Sequence, residues 1–393
     1  MAKAKVTTPR KPRSDFPLFP HARGYWAKKV RGRLIYFGKV ATDPKGQAAL
    51  EKWLDEKDDL LAGCTPRVAG DGLTICDLCN KFLSAKKDLL DHTEITPRTF
   101  AELHGTCKRI GDAFGWNRLV SDLASDDFDR LRRASAKLWG PHRLAGEVQR
   151  TRCLFKFGFD AGLILQPLRY GATFKRPSRQ VMRQQRAKAG PKMLEADELR
   201  RVIAAAPVPM KAMILLGVNC GVGNNDVASL HRRALNLKTG WIDFPRPKTG
   251  IGRRCPLWPE TVAAIHEAID QRPTPKNDKY ADVVFVTPRG NPWRVCERAD
   301  RDNGEFGLKV HDFIGKKFTA LLKELEIHRP GIGFYTLRHV FETIAGGSRD
   351  QVGVDAIMGH SPNDMASGYR ERIDDARLVA VTEHVRKWLL TKG

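Results

Sequence analysis

The sequence predicts a mainly α-helical chain with small β-sheets, divided among several domains. Helix-start signals recur through it: a capping hydroxyl before proline at Thr96-Pro97, the run Ser125-Asp126-Asp127, and the pair Gly140-Pro141. Its β-rich runs are short and sit beside turn residues, so any sheets are small. A length of 393 residues with 41% hydrophobic content suffices for two or three compact domains, each with its own core. No apolar run approaches the roughly 20 residues of a membrane span.

Taken in order, residues 1 to about 20 carry Lys3, Lys5, Arg10, Lys11 and Arg13 against one acid, Asp15, and read as a disordered basic tail. The chain starts without a charged-then-apolar leader, so a soluble, unexported protein is expected. Residues 21–65 hold two β-rich runs around Arg31-Gly32-Arg33, the pattern of a hairpin, followed by a helix over about 44–61. Lys28, Lys29, Arg31 and Arg33 decorate this ββα segment. Residues 72–170 read as four helices, near 73–91, 97–114, 126–138 and 141–161. In the last, Leu144, Val148, Phe155 and Phe159 form a core stripe, while Arg143, Arg150, Arg152 and Lys156 lie on other faces. Arg150 and Arg152 are candidates for phosphate contact. Residues 171–192 form a linker carrying Lys175, Arg176, Arg179, Arg183 and Arg186, with no acid from Lys175 to Lys192. A tether needs no such charge, so the linker is read as following a nucleic-acid backbone. Residues 193–393 are mixed: helices at 195–206 and 210–218, strands at 241–244 and 283–286 with turns at 238–240 and 289–291, then helices at 310–325, 337–345, 351–358 and 374–390. No internal repeat is present.

A formal charge of +23 exceeds what solubility requires and attracts polyanions, which makes nucleic acid the leading partner class. The basic residues are spread along the chain rather than gathered beside an amphipathic anchor, which argues against a membrane partner. Eight cysteines, at 64, 76, 79, 107, 153, 220, 255 and 296, follow no framework, so reduced thiols are expected. Cys76-Asp-Leu-Cys79 outlines half a zinc site, but nothing completes four ligands and the pair falls in a helix; core packing is the reading, with no metal expected.

The densest chemistry lies near the C-terminus: Tyr335-Thr-Leu-Arg338-His339, Met358-Gly-His360 and Ser367-Gly-Tyr369-Arg370. Arginine, histidine and tyrosine in that order supply an anion clamp, a proton handler and a nucleophile, the set needed to attack a phosphodiester. Pro247-Lys248-Thr-Gly250 adds a lysine beside a turn that can protonate a leaving oxygen without a metal. This order and spacing resemble the tyrosine recombinases, the phage integrase family, over roughly the C-terminal half of the chain. The resemblance implies that Tyr369 forms a 3′-phosphotyrosyl bond, that Arg338 clamps the phosphate, that His360 bonds the phosphate or assists proton transfer, and that Lys248 is the general acid for the 5′ oxygen. Tyr335 stands where the family has its first histidine; a phenol is no base near neutral pH, so it would position the phosphate.

The same resemblance gives the domains their expected roles. Residues 21–65 are either an arm-type DNA-binding domain or a plain basic subdomain packed on its neighbour, 72–170 a four-helix core-binding domain, and 193–393 a mixed α/β catalytic domain. Double-stranded DNA is the implied partner, with a tetramer in synapsis and a directionality or host DNA-bending factor as further partners. No cofactor is implied, because the phosphotyrosyl link stores the energy of the broken bond. A cytoplasmic, nucleoid-associated location follows. The helix over 379–390 would dock on a neighbouring subunit or pack within its own chain.

One element departs from the family. Where a Gly-Leu-Arg element is expected, the chain reads Gly221-Val222-Gly223-Asn224-Asn225-Asp226, so Gly223 occupies the position of the first arginine. Losing one such donor costs about 3–4 kcal/mol, or roughly 10²–10³ in rate. Backbone N–H groups of Gly223 and Asn224 at a helix start are one substitute. Arg246, which shares a strand face with Lys248, is another, as are Arg232 and Arg233. The leading expectation is therefore a site-specific recombinase or integrase of a mobile element. The alternative is a DNA-binding protein that kept the fold and lost the chemistry, with an architectural or regulatory role. A supercoil-relaxing enzyme would share cleavage without synapsis.

Overall fold

The computed structural model describes residues 11–62, 72–299, 306–360, 369 and 372–391. Residues 1–10 of the basic tail, Cys64 and the residues flanking Tyr369 lie outside these. The chain divides into two compact units, Met1–Gln185 with Arg298–Leu308, and Arg186–Glu297 with Lys309–Gly393.

Unit 1 holds two separate cores. The first is built on an antiparallel sheet of β1 (Phe19–Pro20), β2 (Tyr25–Val30) and β3 (Arg33–Lys39), covered by α1 (Gln47–Ala62). β2 and β3 are joined by Arg31-Gly32, both at positive φ (49° and 81°), the two-residue turn whose twist matches a hairpin. The Asp43 carboxylate accepts from the N–H groups of Gln47 and Ala49 and so starts α1. Two expectations change here. Phe16 (4% exposed) and Leu18 (0%) are core residues and β1 adds a third strand, so the tail assigned to residues 1–20 ends earlier. The reason is local: Phe16 meets Trp26 edge-on and Leu18 joins the same core, despite the prolines around them.

The second core belongs to α2 (Ile75–Asp91), α3 (Pro97–Phe114), α4 (Ser125–Leu138) and α5 (Pro141–Asp160), close to the expected helices. Thr74 and Asp77 form a reciprocal capping box on α2, and Thr96 caps α3 ahead of Pro97. α4 begins one residue earlier than its serine suggests, because the Asp127 carboxylate accepts from the Ala124 N–H. Phe128 sits at the centre, ringed by Phe114, Phe155, Tyr170 and Phe174. Phe159, assigned to the core stripe, is instead exposed one residue before α5 ends. Cys79 packs on Cys107, and six cysteines are free thiols. Cys76 is disulfide-bonded, which corrects the expectation of reduced thiols for that residue. The linker is also corrected: Arg179–Ala189 is helical, α6, with no buried residue.

In unit 2, α7 (Ala196–Ala205) precedes α8 (Val208–Cys220), whose residues are buried from Ala212 to Cys220. A helix apolar all round is a central one, and α10 (Pro259–Asp270), α12 (Thr336–Ala345) and α14 (Asp375–Leu390) pack around it. The short helix α9 (Asn224–Ala228) follows α8. A sheet of β4 (Leu235–Asn236), β5 (Trp241–Asp243) and β6 (Arg254–Pro256) lies beside it, tied to α8 by the buried Asn219 side chain, which donates to the Pro256 carbonyl and accepts from the Trp258 N–H. α10 was not foreseen, although Pro259 at its start is a signal. Residues 283–286 form isolated bridges at Val283 and Val286 rather than a ladder strand. The expected helix at 310–325 starts later: β7 (Arg294–Arg298) pairs with β8 (Leu308–Asp312), and α11 (Phe313–Glu324) begins where Asp312 accepts from the Gly315 N–H. After α12 comes α13 (Gln351–Met358). Leu378, Val381, Val385 and Leu389 of α14 are buried, so that helix packs within its own chain. Among the described residues, no helix is long and apolar enough to cross a membrane.

Candidate active site

Arg338 lies in the first turn of α12, whose apolar residues Leu337, Val340 and Phe341 face the core. This places Arg338 inside, 4% exposed, between two helix ends. Nη1 donates to the Gly221 carbonyl at 2.5 Å and Nη2 to the Met358 carbonyl at 2.8 Å. Both carbonyls belong to helix ends turned by glycine: Gly221 after α8 has φ 62°, and Gly359 after α13 has φ 61°. Burial, and then the positive charge of Arg246, pull the Arg338 pKa below its ordinary value; Tyr335 and Asp226 oppose this, and Arg253 adds to it. The groups that share its field are therefore Arg246, Arg253, Tyr335 and Asp226.

His360 follows Gly359 directly. The left-handed turn brings the His360 N–H back to the Asp355 carbonyl at 2.9 Å, which sets the imidazole beside acids of α12 and α13. Nδ1 donates to Asp355 Oδ1 at 3.2 Å, with Glu342 Oε2 at 3.7 Å. Carboxylates only accept, so Nδ1 carries hydrogen and Nε2 is left for other work. Glu342, Asp355 and His360 each bring a ligand atom within 4.8 Å of the others, the one such cluster among the described residues. Gln351 already donates to both carboxylates, at 3.3 and 3.1 Å.

The hairpin between β5 and β6 carries the remaining cations. Its turn closes with the Thr249 and Gly250 N–H groups on the Arg246 carbonyl, leaving Lys248 exposed at the tip. Arg246 Nη1 donates to the Gly359 carbonyl at 3.2 Å, which attaches the hairpin to the His360 turn. Of the sequence candidates for replacing an arginine at 223, Arg246 is thus beside Arg338. Arg232 and Arg233 are not so placed: the Arg233 guanidinium is 3.7 Å from Asp282, and Arg232 acts on Arg272. Of the backbone candidates, the Gly223 N–H is engaged, pointing to Asp226 Oδ2 at 3.4 Å; the Asn224 side chain, as distinct from its N–H, donates to Asp312. A Cβ on Gly223 would stand 3.0 Å from two ring carbons of Tyr335, so the tyrosine ring lies over the glycine. Tyr335, 49% exposed, also meets His339 edge-on at 5.6 Å. Burial lowers the His339 pKa, helped by Lys192, Arg186 and Arg338. Tyr369 is 82% exposed.

One residue was missed in the sequence reading. Arg253, at the start of the returning strand, is 6% exposed and paired to Asp226 at 2.9 Å. Its neighbour Arg254 points outward to Asp243 and Asp375. The period of two in a strand separates the pair, and Arg253 and Cys255 share the inner face.

The basic residues proposed for DNA contact divide into two groups. Lys28 is used internally, donating to the Pro17 carbonyl and lying 4.5 Å over the Trp53 ring. Arg150 is held by Glu147, Thr106 and Glu102. Burial pushes the Glu147 carboxyl up, but Arg109 and Arg150 hold it below the usual range. Arg152 donates to the Phe174 carbonyl. By contrast Lys29, Arg31, Arg33, Lys175, Arg176, Arg179, Arg183 and Arg186 are exposed.

No protein-family model and no curated protein matches this sequence. Solved structures do match the fold. A lambda integrase dimer bound to a COC′ core site superposes with a TM-score of 0.53 at 14% identity, covering 92% of this chain and 98% of that one. The Tn1549 transposon integrase in complex with a circular intermediate DNA gives 0.57 at 16% identity, covering 79% and 99%. A lambda integrase tetramer bound to a Holliday junction gives 0.53 at 14% identity, covering 92% and 99%. The multidomain, mainly helical architecture expected from the sequence is thus the one this chain has.

Proposed function

We propose that this chain, which has the fold of the lambda and Tn1549 integrases, is a site-specific recombinase of the tyrosine type, an integrase of a mobile element. The observation that carries the reading is the convergence of Arg338, Arg246, Tyr335 and His360 where Gly221, Met358 and Gly359 meet. A structural arginine would be content with carbonyls. A second guanidinium whose charge acts on it, with no acid partner among the described residues, suits an anion that arrives later.

In this reading the Tyr369 oxygen attacks phosphorus, forming a 3′-phosphotyrosyl bond as the bond from phosphorus to the 5′ oxygen breaks. His360 Nε2 accepts the phenolic proton or bonds the phosphate, and Lys248 gives a proton to the departing oxygen. Arg338 and Arg246 hold the non-bridging oxygens, with the Tyr335 hydroxyl as a further donor. Rejoining reverses the step with a new 5′ hydroxyl. Exposed arginines of α6 and of the β2–β3 hairpin supply phosphate contacts. The partner is double-stranded DNA, and exchange of two strands requires self-association, a tetramer in synapsis; a directionality or host DNA-bending factor would act on that assembly.

The second reading, a DNA-binding protein without cleavage, is favoured by one observation: Gly223 brings no side chain and its N–H is taken by Asp226. Nicked duplexes tiling the DNA that flanks the chain's own gene separate the two. Denaturation should reveal a covalent protein–DNA adduct that Tyr369→Phe abolishes; binding without an adduct on every duplex would favour the second reading. Relaxation of supercoiled plasmid without strand exchange would indicate a topoisomerase instead.

A further inference from the structure

Among the described residues of unit 2, Arg253 and its partner Asp226 are buried charged side chains that the proposed chemistry leaves unexplained. Arg253 Nε donates to the Phe244 carbonyl at 2.9 Å and its Nη1 to Asp226 Oδ2 at 2.9 Å, while Nη2 is buried without a partner among the described residues. Its stem fills the space above Gly359, where a Cβ would come within 2.7 Å of Arg253 Cγ and Cδ. With Asp226 neutralised as well, an apolar side chain of similar volume would pack against Phe244, Cys255 and Ile357 without an orphaned donor or charge, so stability alone does not call for this ion pair.

The three groups it touches belong to three segments. Phe244 leads into the hairpin turn with Arg246 and Lys248. Asp226 caps the start of α9, where Gly223 lies under Tyr335. Gly359 joins Met358, whose carbonyl holds Arg338, to His360. We propose that Arg253 is the positioning residue that stands in for the side chain missing at Gly223: it fixes these segments relative to one another and acts through them, without contacting DNA. The inference rests on the cleavage reading above.

The test uses the full chain, a nicked duplex that yields an adduct with the unaltered protein, single-turnover cleavage, duplex affinity and thermal unfolding. Arg253→Met should slow cleavage about 10²-fold, the scale of a misplacement near 1 Å, with duplex affinity changed by less than about threefold. Arg253→Lys, which can still pair with Asp226 but cannot also serve Phe244, should recover about tenfold of that loss. The double variant Asp226→Asn/Arg253→Met removes both buried charges and should regain thermal stability while cleavage stays slow. Cleavage at the unaltered rate in Arg253→Met, or recovered together with stability in the double variant, overturns the inference. If the unaltered protein binds duplexes and forms no Tyr369-dependent adduct, the cleavage reading fails and this inference falls with it.

Discussion

Replacing Gly223 by arginine should restore little activity alone, and far more when Tyr335 becomes histidine in the same chain. Gly223 has φ −100°, so its backbone accepts any residue. The obstacle is the Tyr335 ring, with two carbons 3.0 Å from the new Cβ where 3.4 Å or more is ordinary contact. The ring must swing, at about 0.5–1.5 kcal/mol if forced some 30° off its rotamer. It also gives up its edge contact with His339, worth about 0.5–1.5 kcal/mol. One donor to a phosphate oxygen contributes about 3–4 kcal/mol. Crowding of about 1–3 kcal/mol therefore leaves Gly223→Arg near tenfold, whereas Gly223→Arg/Tyr335→His should approach 10²-fold. Single-turnover cleavage of a nicked duplex by the four proteins of the cycle gives the coupling directly, expected at about 1–3 kcal/mol. Equal rates for Gly223→Arg with and without the second change would show that the Tyr335 ring does not obstruct residue 223.

Three further outcomes are expected. Arg246→Ala should slow cleavage roughly 10²-fold, whereas Arg232→Ala and Arg233→Ala should change it less than about threefold, as single-turnover rates would show. Replacing Arg179, Arg183 and Arg186 of α6 together by glutamine should make the log–log salt dependence of duplex binding shallower by about 2–3, measured by titration at several salt concentrations. His339 has a folded pKa below its unfolded value, so the unfolded chain takes up the proton first and this residue's contribution to stability declines as pH falls below about 6.5. Bound DNA phosphates should offset Lys192, Arg186 and Arg338, so the imidazole resonances should titrate at higher pH in the complex than in the free protein.

Much of the fold was legible because its helices carry their own punctuation. Thr96-Pro97 and Gly140-Pro141 place two starts correctly, and Gly359 marks an end that also turns His360 toward Asp355. α6 was read as a linker along a nucleic-acid backbone, without a helix, because it buries nothing; its arginines, glutamines and alanines favour helix by propensity without an apolar face. β8 was absorbed into a helix because Asp312, its true cap, lies within an apolar run. In the site, the sequence pointed to Arg246 and Lys248 of the hairpin, but they do not share a strand face: both lie between β5 and β6, with Lys248 in the turn. Arg253 was missed, since a buried arginine is defined by its partner, and Asp226 lies 27 residues away. The ring of Tyr335 over Gly223 joins segments with no sequence relation, and only the packing of α12 on α8 brings them together.

The most direct test of the account is to digest the denatured adduct formed on a nicked duplex and identify the modified peptide by mass spectrometry. A nucleotide joined through a 3′-phosphate to Tyr369 is expected, with a free 5′ hydroxyl on the released strand. A link to another residue or a 5′ link, or tight duplex binding with no adduct at all, would contradict it.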